Sequence, residues 1–421
     1  MRKEKTMRIL YIAFDNPAVD TILGGMNDEN LAGLPAFYYP FKMLLEKGNT
    51  IDMLLVSDLN HEVVESEHFK KDNFIQLRPK PGKLGTLMFP FYLARETRKL
   101  LKSRHYDFVY GMAEGSHMGV HAAAKMGIPC ALRQYGTQEM ANVLEPMKKG
   151  VRRWIKSLKD YTYITLSMIS KKSFLLATND GSRADELYDI LGVKRREFDF
   201  YFWRSAVMIP KEQPIVNLDT TGNYPDEYDP LSLSMVGRIA DVKRQDRAAK
   251  ILGEVHKRGV KMHLYLIGDV SSREMLDATN KVIEEYGIKD YVHFVGGQPQ
   301  SVCRRYARNS LATLLVSEWN RVNIFYEVMG EGSVVLTNNN HSIDEFIEDN
   351  ENCIVYDTEA EAAERLIALM EDKEKIEKIR ANAHKTAIDK FMTLERRFGM
   401  EAQLVMDTAE GKDTKAYPDI I

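Results

Sequence analysis

The chain has 421 residues, more than one hydrophobic core usually supports, so two domains of about 200 residues are expected. Apolar residues make up 44% and the formal net charge is −3, an ordinary globular balance that argues against a nucleic-acid partner. No stretch approaches the roughly 18 consecutive apolar residues of a membrane span, and the opening MRKEKTMRIL lacks a signal-peptide pattern, so a cytoplasmic protein is expected.

In chain order, the first half alternates strand and helix. Strands are predicted at 8–14, 51–56, 74–77, 107–110, 129–132 and 174–178, and helices at 36–46, 87–102, 117–125 and 183–191. This spacing predicts an α/β fold with a parallel, doubly wound sheet. The loop 15–35 contains Gly24, Gly25 and Gly33, the last directly before a helix. His117 opens another helix, a position where histidine serves more often as a cap or packing residue than as a catalyst. Cys130, Cys303 and Cys353 lack metal-ligand or redox spacing and are expected to be reduced and buried.

Positive charge concentrates early: residues 1–220 carry 32 Lys+Arg against 26 Asp+Glu. Between Lys148 and Lys172 eight basic residues face one acid, with Trp154, Ile155 and Leu158 interleaved. A solvated helix face accounts for such a stretch; so does peripheral contact with an anionic membrane. Periodicity stops at 209–230, where four prolines and many turn formers predict a linker.

The second half begins a new βα series. Strand 233–236 runs into Gly237-Arg238, with Lys243 five positions beyond the arginine; strand 263–267 ends in Gly268-Asp269, and strand 292–295 in Gly296-Gly297. Glycine at a strand exit permits a tight turn, and the following helix offers free N–H groups, so two cations there suit a diphosphate. Alone, the pair also fits an ordinary surface loop. A strand ending at Ser317 then leads to a short helix. Its first-turn N–H groups, near Asn323 and Ile324, suit phosphate, and Glu327 suits a ribose diol, or is simply a solvated helix residue.

Taken together, Gly237-Arg238…Lys243, Ile267-Gly268-Asp269, Phe294-Val295-Gly296 and Glu327-Val328-Met329-Gly330 resemble the C-terminal domain of glycosyltransferase family 4, within the GT-B superfamily. The resemblance implies two Rossmann-like domains facing across a cleft: an acceptor domain at 1–208, a linker at 209–230, a donor domain at 231–390, and a terminal segment, 391–421, returning to the first domain. It implies metal-independent, retaining transfer of a sugar from a nucleotide diphosphate sugar, expected to be a UDP-sugar, to a glycan or lipid-linked acceptor at the inner face of the membrane. Arg238 and Lys243 would neutralise the departing diphosphate, Glu327 would hold the ribose hydroxyls, and Gly237 and Gly268 would line the nucleotide.

Two departures from the family pattern stand out. Trp319 occupies the position of a sugar-binding glutamate, leaving Glu318 and Asn320 as donor-sugar candidates. Tyr135 replaces a family histidine, where it would hydrogen-bond or stack on the sugar, or pack as a plain aromatic. Gly33 matches a glycine that approaches the donor phosphate and acceptor, and His117 faces the same expected cleft. A GT-B nucleotide-sugar epimerase and a noncatalytic partner protein are the alternative readings.

Overall fold

The computed structural model describes residues 6–27, 31, 35–67, 69–135, 149, 150, 152, 155, 162–179, 184–192, 198–204, 206, 208–210, 232–317, 322–339 and 346–417. The chain divides into two compact units: Met1–Ser205 with Leu394–Ile421, and Ala206–Thr393. The second division falls three residues after the expected end of the donor domain, and residues 211–230 of the expected linker lie outside the described residues.

Unit 1 is built on seven parallel strands: β1 (Arg8–Phe14), β2 (Thr50–Val56), β3 (Phe74–Leu77), β4 (Phe108–Met112), β5 (Cys130–Gln134), β6 (Phe174–Asn179) and β7 (Asp199–Arg204), in the order β3-β2-β1-β4-β5-β6-β7. The five interior residues of β1 are all buried, as expected for a central strand covered on both faces. The helices are α1 (Pro17–Leu23), α2 (Pro35–Glu46), α3 (Gly82–Ser103), α4 (His117–Lys125), α5 (Thr162–Ile169) and α6 (Ala184–Ile190).

Unit 2 repeats the plan with β8 (Leu233–Val236), β9 (Leu264–Ile267), β10 (Val292–Gly296), β11 (Ala312–Leu315), β12 (Val335–Asn338) and β13 (Ile354–Tyr356), ordered β10-β9-β8-β11-β12-β13 with every pairing parallel. Its helices are α7 (Gln245–Lys257), α8 (Arg273–Tyr286), α9 (Gln300–Asn309), α10 (Val322–Gly330), α11 (Glu359–Glu371) and α12 (Lys373–Lys390). Ala248, Ile251, Leu252 and Val255 of α7 join Leu264, Leu266, Leu314 and Leu366 in one core. Local chemistry fixes the helix ends: Ser272 Oγ accepts from Met275 N at 3.2 Å to start α8, and Gly287, at φ 65°, ends it. Both units therefore have the doubly wound Rossmann order, which places ligands at the C-terminal strand ends where the winding reverses, between β1 and β4 and between β8 and β11.

The last helix, α13 (Leu394–Ala409), belongs to unit 1 and is fixed there by buried charge. Glu401 accepts from Tyr110 Oη at 2.5 Å and from Arg397 Nη1 at 2.9 Å, and lies 3.3 Å from Arg133 Nε; the Arg133, Arg397 and Glu401 side chains are all fully buried. Arg397 also donates from Nε to the Arg204 carbonyl at 2.8 Å and stacks over Trp203. Burial pulls its guanidinium down to about 10, and the Glu401 carboxylate works against that shift. The three thiols are held as thiols by burial, Cys130 and Cys353 pushed up to about 12 and Cys303 to about 11.

Candidate functional site

The reversal of winding in unit 2 brings together the ends of β8, β9 and β11. At the end of β8, Gly237 has φ 147°, and at the end of β9, Gly268 has φ 150°, both outside the range of ordinary L-residues. The two turns nearly touch: a Cβ on Gly268 would lie 2.3 Å from the Gly237 carbonyl oxygen and 2.9 Å from Arg238 N. The chains stay paired beyond the sheet. Ile239 N donates to Asp269 O at 2.9 Å, and Ser271 N and Ser272 N both donate to Ile239 O at 3.0 Å. Asp269 is spent on structure, since its Oδ1 accepts from Gly297 N at 2.9 Å and so ties down the end of β10.

This packing positions the two cations. Arg238 is exposed at the strand end, and Lys243 is half-buried. The Lys243 side chain folds over the β8 turn, its Cε 3.4 Å and its Nζ 3.8 Å from where a Gly237 Cβ would stand. Gln245, which the sequence reading passed over, clamps the loop between them. Almost fully buried, its carboxamide donates to Arg238 O at 3.0 Å and accepts from Ala240 N at 3.3 Å. No periodicity signals such a residue, because its role exists only once the loop closes over it.

Glu327 lies on α10, which follows β11 and so starts at the same edge. Asn323 and Ile324 fall in its first turn, where backbone N–H groups have no partner within the helix. Burial pushes the Glu327 carboxyl up to about 7; Arg304 and Lys243 pull it down and Glu331 pushes it up. Glu331 is itself buried and ion-paired, 2.5 Å from Arg308 Nη2 and 3.5 Å from Arg304 Nε, so two arginines of α9 brace the end of α10. Gly237, Arg238, Lys243, Gly268 and Glu327 thus gather on adjacent strand ends at one edge. Glu318, Trp319 and Asn320 lie outside the described residues.

Gly268→Ala is expected to destabilise unit 2 by about 1–3 kcal/mol, because the backbone angle is strained for alanine and the new methyl meets the Gly237 carbonyl. Urea unfolding followed by circular dichroism checks this, with Gly259→Ala as the comparison. Gly259 also has positive φ, 83°, but nothing lies within 4 Å of the position of its Cβ.

Unit 1 presents its own edge. Ala113, just past β4, sits at φ 62° and ψ 163°, a region nearly reserved for glycine and a place where strain accumulates at functional turns. His117 is buried and its Nδ1 hydrogen-bonds the Glu114 carbonyl at 2.8 Å; burial lowers its pKa, so it is a neutral residue locking the start of α4. Tyr135 is turned inward. Its hydroxyl donates to the Ala36 carbonyl, its ring stacks on Phe37 at 4.1 Å, and Arg133 lies 4.5 Å from the ring centroid. The donor offered in sequence to a sugar hydroxyl is engaged by the protein. Asp15, after β1, pairs with His61 Nε2 at 2.8 Å, and Ser57 Oγ lies 2.9 Å from the same nitrogen, a polar cluster with no sequence motif. Gly33 lies outside the described residues.

With this geometry in place, residues 225–386 match the family model described as Glycosyl transferases group 1. That segment is similar to group 1 glycosyltransferase domains. None of the curated proteins compared resembles the chain in sequence. Solved structures resemble it in fold. Sucrose-phosphate synthase from Thermosynechococcus elongatus superposes with a TM-score of 0.66 at 13% identity, over 96% of this chain and 99% of that one. Anabaena HepE in complex with UDP and glucose gives 0.59 at 13% identity, over 94% and 98%. The lipopolysaccharide outer core galactosyltransferase WaaB gives 0.57 at 15% identity, over 94% and 99%. At these identities the likeness shows the fold: two Rossmann-like α/β domains of GT-B type. The matched segment contains the whole gathered edge, from Gly237 to Glu327.

Proposed function

We propose that the chain is a retaining, metal-independent transferase of the family 4 type that moves a sugar from a UDP-sugar to a glycan or lipid-linked acceptor in surface polysaccharide or glycoconjugate synthesis. The observation that carries this reading is the Lys243 side chain folded over the Gly237 turn, on the same edge as Glu327 and electrostatically coupled to it. HepE, which shares the fold, binds UDP and glucose, and WaaB is a galactosyltransferase of the lipopolysaccharide outer core.

Chemically, the bond between the anomeric carbon and the β-phosphate oxygen breaks, and negative charge grows on the departing diphosphate. Lys243 and Arg238 offset that charge, and the first-turn N–H groups of α10 add partial positive charge. Glu327 accepts from the ribose hydroxyls and fixes the nucleotide. The acceptor hydroxyl passes its proton to the leaving phosphate oxygen as the new bond forms on the same face, so no protein nucleophile is required.

The acceptor is held at the cytoplasmic face of a membrane in this reading. Of the basic stretch 148–172, Lys148, Arg153, Lys156 and Lys159 lie outside the described residues, and Lys172 is no surface cation. It is buried, donating to the Met168 and Ser170 carbonyls and lying 4.1 Å from the centre of the Phe198 ring.

The reading is tested by incubating the protein with UDP-, GDP- and ADP-sugars in excess EDTA and following nucleotide release. Turnover of a UDP-sugar with EDTA present is expected. Complete loss that Mg²⁺ or Mn²⁺ restores contradicts charge neutralisation by side chains, and a rearranged sugar nucleotide formed without acceptor indicates an epimerase.

A further inference from the structure

The outward face of α3 is unlike the rest of unit 1. Its inner face packs Phe89, Leu93 and Leu101 into the core and buries Thr97. On the opposite side, Leu84, Met88 and Phe91 follow at intervals of four and three residues and are 73%, 50% and 62% exposed. At 100° per residue these three fall within one narrow stripe, and the same stripe continues through Arg95, Arg98, Lys99 and Lys102, all exposed. The outer face is therefore apolar along its first half and cationic along its second.

The charge around this helix is one-sided. Residues 70–104 contain ten Lys and Arg against two acids, Asp72 and Glu96, a local excess of +8 in a chain of net −3. Glu96 is shared between Arg95 and Lys99, whose side chains are 62% exposed, and such exposed pairs exchange readily for other anions. Three large apolar side chains in one exposed row are costly in water unless something covers them.

We propose that this face of α3 docks unit 1 on an anionic lipid bilayer, with Leu84, Met88 and Phe91 entering the headgroup boundary and Arg95, Arg98, Lys99 and Lys102 meeting lipid phosphates. The pairing of an apolar row with a cationic row on one helix matches a bilayer surface, apolar just beneath an anionic plane. α3 lies on the membrane rather than across it, since among the described residues no helix is long and apolar enough to span one. The inference rests on the membrane contact of the reading above and moves that contact from 148–172 to a different surface.

The test is cosedimentation with phosphatidylglycerol/phosphatidylcholine vesicles and with phosphatidylcholine alone, at about 0.1 M salt. The protein is expected to bind the anionic vesicles and to be released at high salt by screening. Replacing Leu84, Met88 and Phe91 together by Ser is expected to weaken binding at least about 100-fold. Each Gln substitution at Arg95, Arg98, Lys99 or Lys102 is expected to weaken it about fivefold. Circular dichroism confirms that the variants fold, and Phe91→Trp gives an independent reading, because its fluorescence is expected to shift blue and to be quenched by brominated lipid.

No binding of the wild type to any vesicle overturns this docking and the membrane contact above together. Binding unchanged by the α3 substitutions but abolished by neutralising Lys148, Lys149, Arg152 and Arg153 overturns only the α3 assignment. A triple variant that changes oligomeric state without changing vesicle binding shows that the row is a protein interface instead.

Discussion

Lys243→Ala is expected to lower turnover about 10²- to 10³-fold while weakening UDP binding no more than about tenfold. The asymmetry follows from where the ammonium stands. Its side chain is laid along the Gly237 turn, half-buried, where a charge that develops on a departing diphosphate is screened less than in water. In the reading proposed above, Arg238 and the α10 N–H groups neutralise part of that diphosphate in the ground state, and the further charge of bond breaking falls on Lys243. Steady-state kinetics beside calorimetry separates the two effects. A rise in KM at unchanged kcat would mean that Lys243 contributes uniform binding and no transition-state stabilisation.

Glu401→Ala is expected to destabilise unit 1 by about 3–5 kcal/mol. Removing this carboxylate leaves the Arg133 and Arg397 guanidiniums buried without a counter-charge and takes the acceptor from Tyr110 Oη. Glu401→Gln keeps an acceptor and the volume but not the charge, and its cost is expected to lie between wild type and alanine. Urea unfolding measures both, with circular dichroism and tryptophan emission as parallel probes, Trp203 lying beside Arg397. A loss below about 1 kcal/mol for the alanine variant would show that α13 is held by its apolar contacts alone.

How much of this was legible in the sequence differs by the range of the interaction. Strands β1 and β3 carry the bounds expected from their apolar runs, and the glycines at 237 and 268 were readable because each directly follows its apolar strand along the chain, Gly237 with Arg238 beside it and Gly268 with Asp269. β7 was missed: DFYFWR alternates aromatic with aromatic, so Tyr201 and Trp203 facing inward could not be told from Phe200 and Phe202. α3 was read from Leu87, but it starts at Gly82 and runs through Pro90, which hid the exposed Leu84 from the periodic pattern. Polar residues that tertiary packing turns inward were the least legible. Lys172, Tyr135, Gln245 and Glu331 look locally like surface or binding residues, and each is held by a carbonyl, amide or guanidinium distant in sequence or supplied by a folded loop. The same limit applied to the terminal segment, where the family resemblance implied a return to the first domain but gave no sign of the buried Glu401 cluster.

The donor site is tested most directly by calorimetric titration of UDP into the wild type and into Glu327→Gln across pH 5.5 to 8.5 in EDTA. Burial holds the Glu327 carboxyl at about 7, above its ordinary 4.5, so below that pH the free protein carries it protonated. A ribose diol donates best to the ionised form. UDP affinity is therefore expected to fall as pH drops through about 7, by at most about tenfold per pH unit, since a single proton is involved. Glu327→Gln is expected to bind about 10- to 150-fold more weakly at pH 8 and to lose this dependence, retaining only the titration of the UDP phosphate itself. Identical affinities and identical pH profiles for the two proteins would contradict a nucleotide site at the β8 and β11 strand ends.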